Sequence, residues 1–271
     1  MNNESNDFDD DFEDAVDAYE REDYKTAYKL FLPLAEQEDS DAQCYLGLIY
    51  EYGHGVPQDY KEAEKWYRLA AEQGDVDAQH IMGLIHANGQ GVPQDYKEAG
   101  KWWKLSAEQG NADAQYNLGM SYAKGHGVLQ DFKESVKWYR LAAEQGDAEA
   151  QCFLGSIYNE GQGVEQDYKE AVKWWKLAAE QGDNEAQFNL GVVYDQGHGV
   201  LQDLNESVKW YRLAAEQGYV ESQYNLGFMY HEGLGVPQDY EEAVKWWGLA
   251  AGQKHERAQF NLEMMHGSSA N

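Results

Sequence analysis

Apolar and polar positions along the chain repeat with a short and a long period. Within Asp113–Ala148, Ala114, Leu118, Ser121, Tyr122 and Gly125 fall at i, i+4, i+7, i+8 and i+11, the spacing that gathers side chains on one face of a helix. Gly125 and Gly127, followed by Val128 and the Gln130–Asp131 pair, interrupt that run. Glycine weakens a helix and supplies the positive φ that a reversal needs. A second amphipathic run passes through Ser135, Trp138, Leu141, Ala142 and Gln145 and stops at Gly146. Asp131, with Glu134 three residues on, is placed to cap it. The segment therefore predicts two helices, A and B, joined by a glycine turn. Small residues at Gly119, Ala142 and Ala143 let backbones approach, with Trp138 expected to fill the gap that remains.

The long period is 36 residues: the same frame opens at Asp41, Asp77, Asp113, Glu149, Glu185, Glu221 and, in part, Arg257. Two short helices per unit at that period predict an all-α solenoid whose core is the seam between neighbouring units. Six full units occupy 41–256. A hairpin over 12–40, turning at Arg21–Asp23, is expected to cap the first unit, with Pro33 bending or breaking its second helix. Residues 257–266 are expected to form a lone capping helix, since Glu263 replaces the helix A glycine found at Gly47, Gly83, Gly119, Gly155, Gly191 and Gly227. The acidic stretch 1–11 and the tail 267–271 are expected to be disordered. A further alternation, Tyr67, Trp103, Tyr139, Trp175, Tyr211, Trp247, points to growth of the array by duplication of paired units.

Composition changes the picture through charge. The formal net charge is −28, which disfavours nucleic acid and anionic membrane surfaces and favours basic partners at rates that fall with salt. No apolar run has the length of a membrane span, and the N-terminal MNNESNDFDDDFEDA has neither a basic head nor an apolar stretch. The cytoplasm is the expected compartment, although secretion without a cleaved signal leaves no such mark. Cys44 and Cys152 occupy one position three units apart, so no disulfide framework is implied. Recurring carboxylates such as Asp59 and Glu62 recur as caps or surface residues, and no Ser–His–Asp set, phosphate loop or zinc spacing stands out. The chain reads as non-enzymatic and without a cofactor or metal. His54, His126 and His198 lie two units apart, and with helices packing ~8–10 Å apart they cannot share an ion.

The string Ala–x–x–x–Leu–Gly–x–x–Tyr–x–x–Gly–x–Gly–Val–x–x–Asp, followed by Ala/Ser–x–x–Trp and Ala–Ala–x–x–Gly, is similar to the Sel-1-like repeat family, relatives of the tetratricopeptide repeats. The resemblance runs from Asp41 to His266. It implies a right-handed α/α superhelix acting as an adaptor or binding scaffold, often in bacterial signalling, envelope processes or host interaction. Relatives with a cysteine pair in each unit are associated with binding or hydrolysing β-lactams. This chain lacks the pairs, so a cell-wall or β-lactam hydrolase stands only as the alternative from another class. Its acidity suggests a second binding role, an immunity-type protein neutralising a basic toxin.

Residues opposite the packing stripe of helix A differ from unit to unit, and by resemblance to tetratricopeptide arrays this face lines a concave groove. The candidate contacts on it are Tyr52, His80, Tyr116, Met120, Lys124, Phe188, Tyr224, Phe228 and His231, since aromatic and methionine side chains are adaptable interface anchors. Asn117, Asn189 and Asn225 stand where related repeats use asparagine to hold a peptide backbone. An amide donates and accepts at once, which suits an extended main chain. Lys124 is nearly the only basic group there, so a basic or aromatic protein or peptide fits better than an acidic one. The same aromatics could instead pack between consecutive A helices, and the asparagines could bond neighbouring loops.

Overall fold

The computed structural model describes residues 4–268, with side chains over 11–265. Among the described residues there are fifteen helices and no strand. The first two, α1 (Glu4–Glu20) and α2 (Tyr24–Glu36), precede six A–B pairs. These are α3 (Ser40–Tyr52) with α4 (Tyr60–Glu72), α5 (Val76–Asn88) with α6 (Tyr96–Glu108), and α7 (Ala112–Lys124) with α8 (Phe132–Glu144). Then follow α9 (Ala148–Glu160) with α10 (Tyr168–Glu180), α11 (Asn184–Gln196) with α12 (Leu204–Glu216), and α13 (Val220–Glu232) with α14 (Tyr240–Gly252). The last helix is α15 (Glu256–Ser268). Two compact units divide the chain between Trp138 and Tyr139, inside α8.

Local chemistry sets the ends of these helices. In the A helices the side chains of Asp39, Asp75, Asn111, Asp147 and Asp183 accept from the N–H three residues on, as Asp75 does from Ala78 at 2.7 Å. B helices open on an aspartate that takes two amides, Asp59 from Lys61 at 2.9 Å and from Glu62 at 3.2 Å. That satisfies donors the helix cannot satisfy itself. The reciprocal half of a capping box is not made: the Asp59 N–H donates to the Tyr50 carbonyl at 2.9 Å, leaving Glu62 to pair with Lys65. The first turn glycine closes helix A in the left-handed region, Gly53 at φ 71°. The second, Gly91 at φ 74°, lies so close to the start of the preceding B helix that a Cβ would stand 2.5 Å from the Tyr60 carbonyl oxygen.

Those turns also carry the loop histidines. His54 stacks on Tyr24 at 4.0 Å, His126 on Tyr96 at 4.9 Å and His198 on Tyr168 at 5.1 Å. Each clamps a turn to the first residue of the preceding B helix, a packing role. No group of three or more His, Cys, Asp or Glu among the described residues could hold a metal ion.

The glycine on helix A receives a ring, but not the expected one. A Cβ at Gly47 would stand 2.6 Å from Tyr67, at Gly155 2.6 Å from Trp175, and at Gly227 2.6 Å from Trp247. The alternating Tyr/Trp therefore fills the notch. The tryptophan just before it reaches the previous repeat as well: Trp138 clusters with Trp103 and Ala107, and Trp102 with Tyr67. Adjacent positions on helix B lie about 100° apart, so only one can enter the notch.

A glutamine ladder ties repeat to repeat. The buried Gln187 donates to the Ala179 carbonyl at 3.2 Å and accepts from Gln217 at 2.9 Å; Gln43 with Gln73, Gln79 with Gln109, Gln151 with Gln181 and Gln223 with Gln253 repeat the contact. Buried amides that meet both their needs fix register at little cost.

Three expectations about the ends change. Helix α1 begins at Glu4, so residues 4–11 are helical and not disordered, because once the packed Phe12–Tyr19 segment has nucleated a helix, extension adds one bond per residue fixed. Residues 1–3 of that expected tail lie outside the described residues. Pro33 does not break α2, which continues to Glu36, since in the last turn proline forfeits one N–H bond while Phe31, Leu34 and Ala35 stay buried. Helix α15 runs to Ser268, past the expected end at 266, and residues 269–271 lie outside the described residues. No described helix is long and apolar enough to cross a membrane.

Candidate partner-binding face

The sequence-derived candidates fall in both units and meet different fates. In the unit ending at Trp138, Tyr52 is 60% exposed at the end of α3 and its ring stacks near His54 at 5.5 Å. His80 on α5 is half-buried and lies 3.1 Å from the Asn117 amide on α7. Burial holds the imidazole below its ordinary value of 6.5, so the neutral ring can accept from that amide. The Asn117 amide thus links two successive A helices. Tyr116 and Met120 are half-buried on α7, and Lys124 is exposed in its last turn.

The unit from Tyr139 onward brings more of the candidates together. Phe188 is part of the seam, 5.9 Å from Tyr211 and 5.1 Å from Tyr219. Asn189, beside it on α11, is half-buried. Tyr224 stacks on His255 at 4.6 Å, and its carbonyl accepts from the Trp247 indole at 3.1 Å. The Asn225 and Ser207 side chains lie near the Tyr211 hydroxyl. Phe228 is 44% exposed. His231 bonds Glu232 at 2.7 Å and rests against Tyr240 and Trp247.

Two hollows open between these helices and share Phe228 as a wall. The first, about 350 Å³, is lined by Val192, Asp195 and Gln196 of α11, Tyr211 of α12, and Tyr224, Asn225, Phe228 and Met229 of α13, with Leu234 of the turn. The second, about 250 Å³, is lined by Phe228, His231 and Glu232 of α13, Trp247 of α14 and Asn261, Met264 and Met265 of α15. Helical spacing explains the lining: Tyr224, Phe228 and His231 are i, i+4 and i+7 on one face. Of the expected residues, Tyr224, Asn225, Phe228 and His231 meet here. Asp195 stands on the variable face of helix A without being an anchor type, while Tyr211 and Trp247 read in sequence as repeated packing positions and α15, with Met264 and Met265, as a cap.

Electrostatics distinguish the first hollow. Burial raises the Asp195 carboxyl above the usual carboxylate range, and burial followed by the Asp195 charge pushes the Tyr211 phenol up, so that phenol stays neutral. Both cysteines lie elsewhere as free thiols, pushed up chiefly by burial and hence poor nucleophiles.

Comparison with known proteins places the repeats in context. The family model described as Sel1 repeat matches residues 40–75, 76–111, 112–147, 148–183, 184–219 and 220–255, a frame one residue ahead of that read from the sequence. The chain is similar to c5321, a protective antigen of uropathogenic Escherichia coli strains displaying an SLR fold, with TM-score 0.85 and 42% identity over 87% of this chain. It spans only 50% of that protein's chain. A Sel1 repeat protein from Oxalobacter formigenes gives TM-score 0.78 and 33% identity, covering 89% of this chain and 96% of that one. No curated protein matches the chain.

Proposed function

The chain belongs to the Sel1 repeat family, and from that premise we propose that it is a non-catalytic scaffold that captures a polypeptide on the variable face of its A helices, chiefly along α11, α13 and α15. The observation that carries this reading is the pair of adjoining hollows sharing Phe228. Their walls set the recurring rings of Tyr211 and Trp247 beside side chains that vary from unit to unit at the positions of Asp195, Phe228 and His231. Packing needs recurrence, whereas a ligand needs difference. Aromatic and methionine side chains supply most of the energy at interfaces.

The partner on this reading is a protein or peptide with basic or apolar side chains. The whole chain is acidic, and the hollows hold Asp195 and Glu232 but neither lysine nor arginine. The Asn117 amide already has an internal partner and Asn225 lies near the Tyr211 hydroxyl, so Asn189 and Asn261 are the amides for a bound main chain. Tyr224→Ala combined with Phe228→Ala is expected to weaken capture of a bound peptide by roughly 10-fold or more, the scale of losing two interface anchors. Peptide titration against the full chain measures it. Unchanged affinity, with helicity intact by circular dichroism, overturns the proposal.

A further inference from the structure

Resting on that reading, we infer that the hollow between α11, α12 and α13 is a socket for one cationic side chain, arginine or lysine, of the bound polypeptide. Position 195 shows why. Its equivalents in the other units are Glu51, Ala87, Ala123, Asn159 and His231, so only the first and fifth repeats place a carboxylate there. In the first repeat that charge is consumed, because the Tyr67 hydroxyl donates to Glu51 at 2.8 Å. Asp195 is one methylene shorter, and around the hydroxyl of Tyr211, the residue equivalent to Tyr67, stand Asn225 and Ser207. Among the described residues Asp195 has no ion pair, and no basic residue lines the hollow.

A carboxylate withdrawn from water without a counter-charge is unfavourable, and the missing partner is a cation. The surrounding wall suits one. Tyr211, Tyr224 and Phe228 offer ring faces to a cation, Val192, Met229 and Leu234 offer contact to the methylene stem that lysine and arginine carry, and Gln196 supplies an amide at the rim. In the first repeat the places of Tyr224 and Phe228 are taken by His80 and Leu84, so the aromatic walls and the uncommitted carboxylate occur together only in the fifth. Burial raises Glu185 and Asp41 as well, but each stands at the start of an A helix beside another aspartate and lines neither hollow. The socket therefore selects a cationic side chain where the rest of the surface only attracts positive charge.

The test uses the full chain and four N-acetylated, amidated nonapeptides of alanine, glycine and serine whose central residue is arginine, lysine, citrulline or norleucine, followed by amide chemical shifts. The arginine and lysine peptides are expected to shift the signals of Asp195, Tyr211, Tyr224 and Phe228 and to bind roughly 10-fold more tightly than the citrulline peptide, a difference that Asp195→Asn removes. Thermal unfolding checks that this variant folds, and Phe228→Ala, which leaves the carboxylate, is expected to weaken the cationic peptides while keeping their preference over citrulline. Equal affinity for citrulline or norleucine peptides, or a preference that survives Asp195→Asn, overturns the socket while leaving capture on this face standing. Shifts scattered over exposed carboxylates and lost by about 0.5 M salt overturn it as well, since exposed charges are screened there. If none of the four peptides shifts the α11–α15 face, the socket and the capture reading both fall.

Discussion

Single residues in this array take their meaning from neighbours about one repeat away. His80 is the clearest case: its ring reaches Asn117 across successive A helices, and burial lowers its pKa against the opposing pull of Asp113 and Asp77. A folded pKa below the unfolded 6.5 means that the unfolded chain binds the proton more readily, so this contribution to stability is present above 6.5 and is lost as pH falls through the folded value. Wild-type protein is accordingly expected to lose more of its urea midpoint between about pH 7.5 and 5.5 than His80→Gln does. Equal losses would show that the imidazole is not the titrating group. Asp195 has the opposite sign. Its raised carboxyl costs stability at neutral pH and is relieved as pH falls, the sign that desolvation of a carboxylate gives.

At the level of the helix, the array depends on how close A and B approach. Gly155 and Gly100 separate two effects that a helix glycine combines. Alanine gains about 0.5–1 kcal/mol in helix propensity at either position. At Gly155 its Cβ would stand 2.6 Å from Trp175, a buried ring, and such overpacking costs about 1–3 kcal/mol. At Gly100 the nearest atom is Val128 Cγ1 at 4.0 Å, an ordinary contact. Gly155→Ala should therefore destabilise by roughly 1–2 kcal/mol while Gly100→Ala stabilises by about 0.5–1 kcal/mol, both read from chemical denaturation. The helices, their aspartate caps and their glycine ends were legible in the chain, because each depends on residues within about four positions. The ring that enters each glycine notch was not. Trp138 and Tyr139 are both aromatic and adjacent, and helix rotation alone decides which one points inward.

For the whole molecule, charge is the property that repetition multiplies. With a net charge of −28, association with a basic partner is expected to slow steeply between about 0.05 and 0.5 M salt, as exposed charges are screened within a Debye length of about 10 Å at 0.1 M. The dissociation rate should change less, since contacts in the two hollows are partly desolvated. Stopped-flow association and dissociation at several ionic strengths measure both. A dissociation rate as salt-dependent as the association rate would assign binding to the acidic surface alone. The sequence by itself determined the unit of 36 residues, its two helices, the six copies and the family, because a period and its caps are local and repeat. Tertiary structure alone decided that His80 occupies Asn117, that Phe188 belongs to the seam, and that Asp195, Tyr211, Tyr224 and Phe228 converge on one hollow. Those contacts join residues on different helices, and whether a variable side chain packs, pairs or stays open depends on the shape of its neighbours, which a pattern of apolar and polar positions does not encode.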